Sequence, residues 1–211
     1  MKIVFDFAGV VFHWQPNAML QRVLPEHAAD EAGAAYWVQQ LFQSWGGDWA
    51  AFDRGMIEAP ALAAKIATRT GLTEHDVRRV IDAIPHELRP DADTLALMDE
   101  LRDEGHALYF LSNMPAPYAE HLESAHPLQR WFRAGIFSSR AKLIKPEPAI
   151  FALAARHFEA RPDELLFIDD VLHNVQAARA AGWQALQYLN ALQCRQELRE
   201  RCVLEGRPPP A

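Results

Sequence analysis

At 211 residues the chain can bury one substantial core, or one core with a small satellite. Its 50% hydrophobic and 23% charged residues match an ordinary globular protein, and a net charge of -7 gives no basic footprint for nucleic acid. No run approaches the ~18 continuous apolar residues of a membrane span, and the opening segment, with Asp6 inside its apolar run and no small-residue cleavage site, does not read as a secretion signal.

"KIVFDF" (2–7) reads as the first buried strand. From about Pro16 to Leu88 no strand pattern stands out. That stretch reads as helices with turn signals at "GGD" (46–48), "DRG" (53–55) and "TGLTEHD" (70–76). About ninety-nine residues separate the first two strands, far beyond a normal crossover. An inserted helical cap over 16–88 is therefore expected, with 1–15 and 89–211 forming the core. "RPDADTLALMDELRDEG" predicts a helix opening at Pro90, with Leu95, Met98 and Leu101 on one face and Gly105 at its close.

"ALYFLS" (107–112) and "GIFSS" (135–139) predict the next two strands. "KPEPAIFALAARHF" predicts a helix that starts with prolines and repeats Ile150, Ala154 and Phe158. "LLFID" (165–169), a helix in "NVQAARAAG" ending at Gly182, and "WQALQY" (183–188) complete the pattern. A polar helix and a Pro-rich tail, expected to fray, close the chain. Cys194 and Cys202, eight residues apart in that segment, are too far apart within one helix to bridge, so a reducing cytoplasm is the simplest location. The strands lack period-two alternation, which suits a parallel sheet covered on both faces. Strand alternating with helix is the pattern of a doubly wound α/β fold.

In such a sheet, ligands bind beyond the carboxyl ends of the strands. Asp6 ends the first strand, Ser112 and Asn113 the second, and Asp169 and Asp170 the fourth; Lys145 follows the third, before Pro146. Each has an ordinary structural explanation, such as a turn residue, a helix N-cap or a surface charge. Their shared position at one end of successive strands points to a site instead. Three converging carboxylates repel one another, which calls for a cation.

The order "FDFAGVV", "FLSN", "KPEPAIF" and "FIDDVLHNVQAARAAGW" resembles the haloacid dehalogenase-like hydrolase superfamily over nearly the whole chain. "GVVFHWQP" and "LRP" particularly resemble its branch of bacterial sugar-phosphate phosphatases, such as the alpha-glucose-1-phosphate phosphatase. The resemblance implies a Rossmann-like core with a helical cap and a Mg2+-dependent phosphatase acting on a small phosphate ester. It implies Asp6 as the nucleophile that becomes an aspartyl phosphate. It implies Mg2+ ligands from Asp6, the Ala8 backbone carbonyl, Asp169 and Asp170, the last direct or through water. Ser112, the Asn113 backbone or amide, and Lys145 would hold the phosphoryl oxygens. Asn174 would orient Asp170 or the helix start, and His173 would be a surface residue.

Ala8 departs from the family pattern, in which an Asp two residues after the nucleophile serves as general acid and base, a contribution of about 10²–10⁴-fold. Ala keeps the carbonyl but not the acid, so good leaving groups should be preferred. Two other readings remain open. One is a dehalogenase that uses Asp6 on carbon, a group that also lacks the second acid but does not usually keep paired acids such as Asp169 and Asp170. The other is a non-catalytic module that binds a phosphorylated ligand.

In the cap, "SWGGDWAAFDRG" gathers Trp45, Trp49 and Phe52 beside Asp48, Asp53 and Arg54. These could form an aromatic and polar lip suited to a sugar, or simply the cap's own core. His13 and Trp14 should lie near the cap hinge. His13 is the nearest titratable candidate to replace the missing acid, although a lone His is more often structural.

Overall fold

The computed structural model describes residues 1–43 and 47–205. Five parallel strands, β1 (Lys2–Phe5), β2 (Ala107–Ser112), β3 (Ala134–Phe137), β4 (Leu165–Asp169) and β5 (Gln184–Gln187), form one sheet in the order β3-β2-β1-β4-β5. β1 lies at the centre, with Phe5 level with Phe110 of β2 and Ile168 of β4. The fold is the doubly wound α/β architecture expected from the alternation of elements.

Successive strand residues point to opposite faces, and here both faces are apolar. Ile3, Phe5, Leu108, Phe110, Leu166 and Ile168 enter one core, whereas Val4, Tyr109, Leu111, Leu165 and Phe167 enter the other. Helices α6 (Ala92–Asp103) and α12 (Ala191–Glu200) pack together beside the first core, and Leu97, Met98, Leu101 and Leu198 bury into it. Helices α10 (Pro148–His157) and α11 (Leu172–Ala180) cover the second with Ile150, Phe151, Ala154 and Val175. Two-sided burial is why the strands read as continuous apolar runs.

Between β1 and β2 the chain forms α1 (Pro16–Val23), α2 (Glu31–Phe42), α3 (Asp48–Asp53), α4 (Ala59–Thr70) and α5 (Glu74–Glu87). The turn signals sit at their ends. Gly55 has φ 68°; Gly71, at φ 81°, caps α4; Thr73 caps α5 by accepting a hydrogen bond from the Asp76 N–H at 3.1 Å. Helices α7 (Ala116–Ala125), α8 (Leu128–Trp131) and α9 (Ser138–Ala141) complete the set between β2 and α10.

Several boundaries differ from the sequence expectation. β1 stops at Phe5, and β3 stops at Phe137 because Ser138 and Ser139 begin α9. α6 starts later than Pro90: Asp91 is its N-cap and accepts from the Thr94 N–H at 2.8 Å, while Pro90 bridges to Phe12. Ser44, Trp45 and Gly46 of the "GGD" region and the Pro-rich tail from Gly206 lie outside the described residues. Cys194 is buried and Cys202 exposed, and both are free thiols. Among the described residues no helix is long and apolar enough to cross a membrane.

Phe151 packs its ring at 5.8 Å from Phe167 and 5.6 Å from Trp183. Phe151→Ala should cost about 3–5 kcal/mol of stability through lost burial and a residual cavity. A urea denaturation midpoint equal to that of the unaltered protein would contradict this account of the second core.

Candidate active site

The carboxyl end of β1 is built around a tight loop. The Asp6 N–H still bonds to the Ile168 carbonyl at 2.9 Å, so the residue is held at the strand end. The chain then turns back on itself. The Phe7 carbonyl accepts the N–H groups of Val10, Val11 and Phe12, and the Gly9 N–H donates to the Phe12 carbonyl at 2.8 Å. The Phe7 ring anchors this loop among Phe12, Phe110, Phe132 and Phe137, with centroids 4.5–5.7 Å away. Gly9 adopts φ 83°, and a Cβ there would meet an Asp170 carboxylate oxygen at 2.5 Å. The positive φ favours glycine, and an added Cβ would also displace the Asp170 carboxylate.

The fold brings the predicted strand-end residues together. Lys145 is 1% exposed, and its ammonium lies 2.8 Å from Asp6 Oδ1 and 2.6 Å from Asp169 Oδ2. Asp6, Asp169 and Asp170 each offer a carboxylate oxygen within 4.8 Å of the others. Burial pushes the Asp6 carboxyl up, Lys145 pulls it back, and Asp169 and Asp170 push it up again, leaving it at about 8. Burial and then Asp169 raise Asp170 to about 6. For Lys145, burial opposes the charge, but Asp169 and Asp6 outweigh it and hold the ammonium above its usual range.

Of the two Asn113 groups expected at the site the amide is committed elsewhere, and Asn174 takes a different partner from the one expected. Asn113 turns its amide to the Lys145 backbone, donating to the carbonyl at 3.0 Å and accepting the N–H at 2.8 Å. Its backbone N–H therefore remains the group to consider for a phosphoryl oxygen. Asn174 binds Asp169 rather than Asp170, with Nδ2 3.1 Å from both oxygens. The Val171 N–H adds a third donor to Asp169 at 2.8 Å. Among the described residues Ser112 Oγ is buried without a hydrogen-bond partner. His173 is exposed.

A cavity of about 260 Å³ reaches this site at Ala8 and Asn113. Trp14, Phe42, Trp49, Ile84, Leu88, Met114 and Tyr118 supply most of its wall. Trp49 is also packed in the core, 4.5 Å from the Phe42 ring and 5.8 Å from Phe52, so lining and packing are one arrangement. Asp53 lines the same cavity, one helical turn beyond Trp49 on α3. Sequence reading placed it only beside the aromatics. The i,i+4 spacing from Trp49 was the available signal. A larger cleft of about 840 Å³ beside β3, with Arg130, Arg133 and His157 in its wall, holds none of these residues.

Other residues sit elsewhere. His13 lies 3.5 Å from Asp91, is 44% exposed and does not line the cavity with Ala8. Arg54 is engaged by Glu147 through contacts of 2.8 and 2.5 Å and donates to the Lys142 carbonyl. Asp48 faces Arg69 of α4 at 3.3 Å. Trp45 lies outside the described residues.

The sequence profile of the haloacid dehalogenase-like hydrolases matches residues 3–182. The chain belongs to this family. It is 29% identical over 198 residues to the sesquiterpene phosphatase astK of Aspergillus oryzae, covering 93% of this chain and 94% of that protein. A haloacid dehalogenase-family enzyme of Bacteroides thetaiotaomicron, crystallised with magnesium and inorganic phosphate, superposes with a TM-score of 0.68. The two are 21% identical, over 88% of this chain and 92% of the other. The L-2-haloacid dehalogenase of Xanthobacter autotrophicus gives a TM-score of 0.64 at 21% identity, over 93% and 82%. Membership makes the protein a hydrolase, and the structural likenesses concern the fold.

Removing the Lys145 charge leaves buried acids uncompensated. Lys145→Met should destabilise the metal-free protein by about 3–5 kcal/mol, read from denaturant unfolding in the presence of a chelator. Unchanged stability would mean that the ammonium does not balance Asp6 and Asp169.

Proposed function

We propose that the protein is a Mg2+-dependent phosphatase that hydrolyses a small phosphate monoester through an aspartyl phosphate on Asp6. The observation that carries this reading is the Asp6–Lys145–Asp169 cluster, with Asp170 beside it and the Ser112 hydroxyl unpartnered. Three acids face one ammonium, an imbalance that a divalent cation corrects. Burial first, and then the neighbouring carboxylates, push Asp6 and Asp170 upward.

Asp6, Asp169, Asp170 and the Ala8 carbonyl would hold Mg2+, an ion that prefers a few oxygen ligands and keeps several waters. When bound, it supplies Lewis-acid stabilisation of phosphoryl charge. The chain's own groups do the rest. An Asp6 carboxylate oxygen attacks phosphorus. The Ser112 hydroxyl and the Asn113 backbone N–H donate to the phosphoryl oxygens. Lys145 carries three N–H donors, and after Asp6 and Asp169 one remains for the phosphoryl group. Water then cleaves the Asp6–phosphorus bond and regenerates the carboxylate. The helices between β1 and β2 act as the cap that seats the leaving group. The paired acids, which a dehalogenase does not need, favour phosphorus over carbon as the electrophile.

The leaving group is read from the cavity wall. A sugar brings several hydroxyls that need partners. Here the Tyr118 hydroxyl already donates to the Ile81 carbonyl at 2.9 Å, and the Asn113 amide is committed to Lys145. Asp53 apart, the rest of the wall is aromatic and aliphatic, which favours an apolar leaving group over the sugar expected from the sequence. The likeness to a sesquiterpene phosphatase along almost the whole chain supports the same choice.

Asp6→Asn should abolish Mg2+-dependent phosphate release, because the amide has nearly the same size but is not a nucleophile. Turnover near that of the unaltered protein would remove Asp6 from this role. Asp169→Asn should raise the Mg2+ concentration needed for half-maximal activity by about 10–100-fold. A superimposable metal titration would show that Asp169 serves only to place Lys145.

A further inference from the structure

Asp53 is not an incidental cavity residue, because the turn that carries it is fixed to the catalytic side of the sheet. The Ser138 hydroxyl donates to the Asp53 carbonyl at 2.5 Å and accepts the Met114 N–H at 2.8 Å, tying the end of α3 to the loop that follows Asn113. Arg54 pairs with Glu147, two residues beyond Lys145, and Lys142 Nζ donates to the Gly55 carbonyl at 2.6 Å. Gly55 has a positive φ, and a Cβ there would lie 2.7 Å from both Lys142 Nζ and the Ser139 carbonyl. Thus the "DRG" turn is a clamp whose three residues each meet the core.

The clamp holds the half-buried Asp53 carboxyl in the cavity wall that also contains Ala8. Among the described residues Asp53 makes no side-chain hydrogen bond or ion pair, and it is the sole acid among those lining the cavity. An unpaired carboxyl in an aromatic cavity that opens on a phosphate-type site needs a reason. We infer that Asp53 supplies, from the helical segment, the general acid and base whose usual place in this family is taken by Ala8. The assignment rests on the phosphatase reading above.

In the first step Asp6 bonds to phosphorus, the bond from phosphorus to the ester oxygen breaks, and its electron pair stays on that oxygen. The Asp53 carboxyl gives that oxygen its proton, and the alcohol leaves. In the second step Asp53, now a carboxylate, takes a proton from the water that attacks phosphorus. The Asp6–phosphorus bond breaks with its pair returning to Asp6, and inorganic phosphate is released. Burial raises Asp53 to about 7, against the pull of the Lys145 ammonium, so both forms are accessible near neutrality.

The assignment explains how an apolar alcohol can leave. An alkyl alkoxide departs poorly without a proton, whereas p-nitrophenolate needs none. The test compares octyl phosphate with p-nitrophenyl phosphate, with Mg2+ present, in the unaltered protein, Asp53→Asn, Asp53→Ala and Asp53→Asn combined with Ala8→Asp. Single-turnover release of the alcohol or phenol is the readout. Both Asp53 variants should lose about 100-fold or more on octyl phosphate, without a comparable loss in p-nitrophenol release. Ala8→Asp should restore part of the octyl rate. Measuring two variants keeps a folding defect in one from deciding the result, and retained p-nitrophenol release reports an intact site. Equal losses on both substrates, or none on octyl phosphate, overturn the role of Asp53 while leaving the phosphatase reading intact. An unaltered protein that releases neither product overturns both.

Discussion

One ammonium between two carboxylates sets the terms for the catalytic end of this sheet. Lys145 lies buried between Asp6 and Asp169, and a charge removed from water is tolerable only when it is well paired. The pairing fixes three chain segments at once: the end of β1, the loop before α10 and the end of β4. Asn113 grips the Lys145 backbone on both its N–H and its carbonyl, and Asn174 with the Val171 N–H immobilises Asp169. Positions are therefore established by hydrogen bonds before any ligand arrives. Such preorganisation is what electrostatic stabilisation of a phosphoryl group requires.

The same loop couples the site to the helical segment between β1 and β2. Glu147 follows Lys145 by two residues and receives Arg54, while Lys142 and Ser138 hold the neighbouring carbonyls of Gly55 and Asp53. A shift of α3 would pull on the loop that carries the ammonium. Conversely, the wall of the cavity is registered against the Lys145 loop, and through Lys145 against Asp6, rather than floating above it. Arg54 consequently acts on position, and a role in touching a sugar is unnecessary to explain it.

Ala8 then marks a division of labour. The loop after Asp6 keeps the features that backbone geometry demands: Gly9 beside Asp170, the carbonyl at position 8 and the Phe7 ring in its aromatic cluster. The side chain usually found at position 8 is the one feature it lacks. A small residue there leaves room in the cavity it lines, whose wall carries the Asp53 carboxyl. Apolar walls favour a water-poor leaving-group site, where an unpaired acid is held closer to neutrality than it would be in solvent.

Local pattern alone determined the five strands, the helices before β2, between β3 and β4 and between β4 and β5, and the order Asp6, Ser112-Asn113, Lys145, Asp169-Asp170. Each depends on periodicity or on a residue at a strand end, signals confined to a few neighbours in the chain. The haloacid dehalogenase-like family could likewise be read from those four segments, and the anomaly at Ala8 was visible at once. Tertiary structure decided the partnerships. Arg54 with Glu147, Asp53 with Ser138 and Lys142 with Gly55 join residues 85–93 positions apart, and no local period encodes such pairs. It also turned Asn174 toward Asp169, sent His13 to Asp91, and assembled an apolar cavity from α2, α3, α5, the loop after β1 and the segment from Asn113 to Tyr118. Aromatic residues have the same sequence signature whether they fill a core or line a cavity. Only the packing that leaves space beside Trp49 and Asp53 tells the two apart.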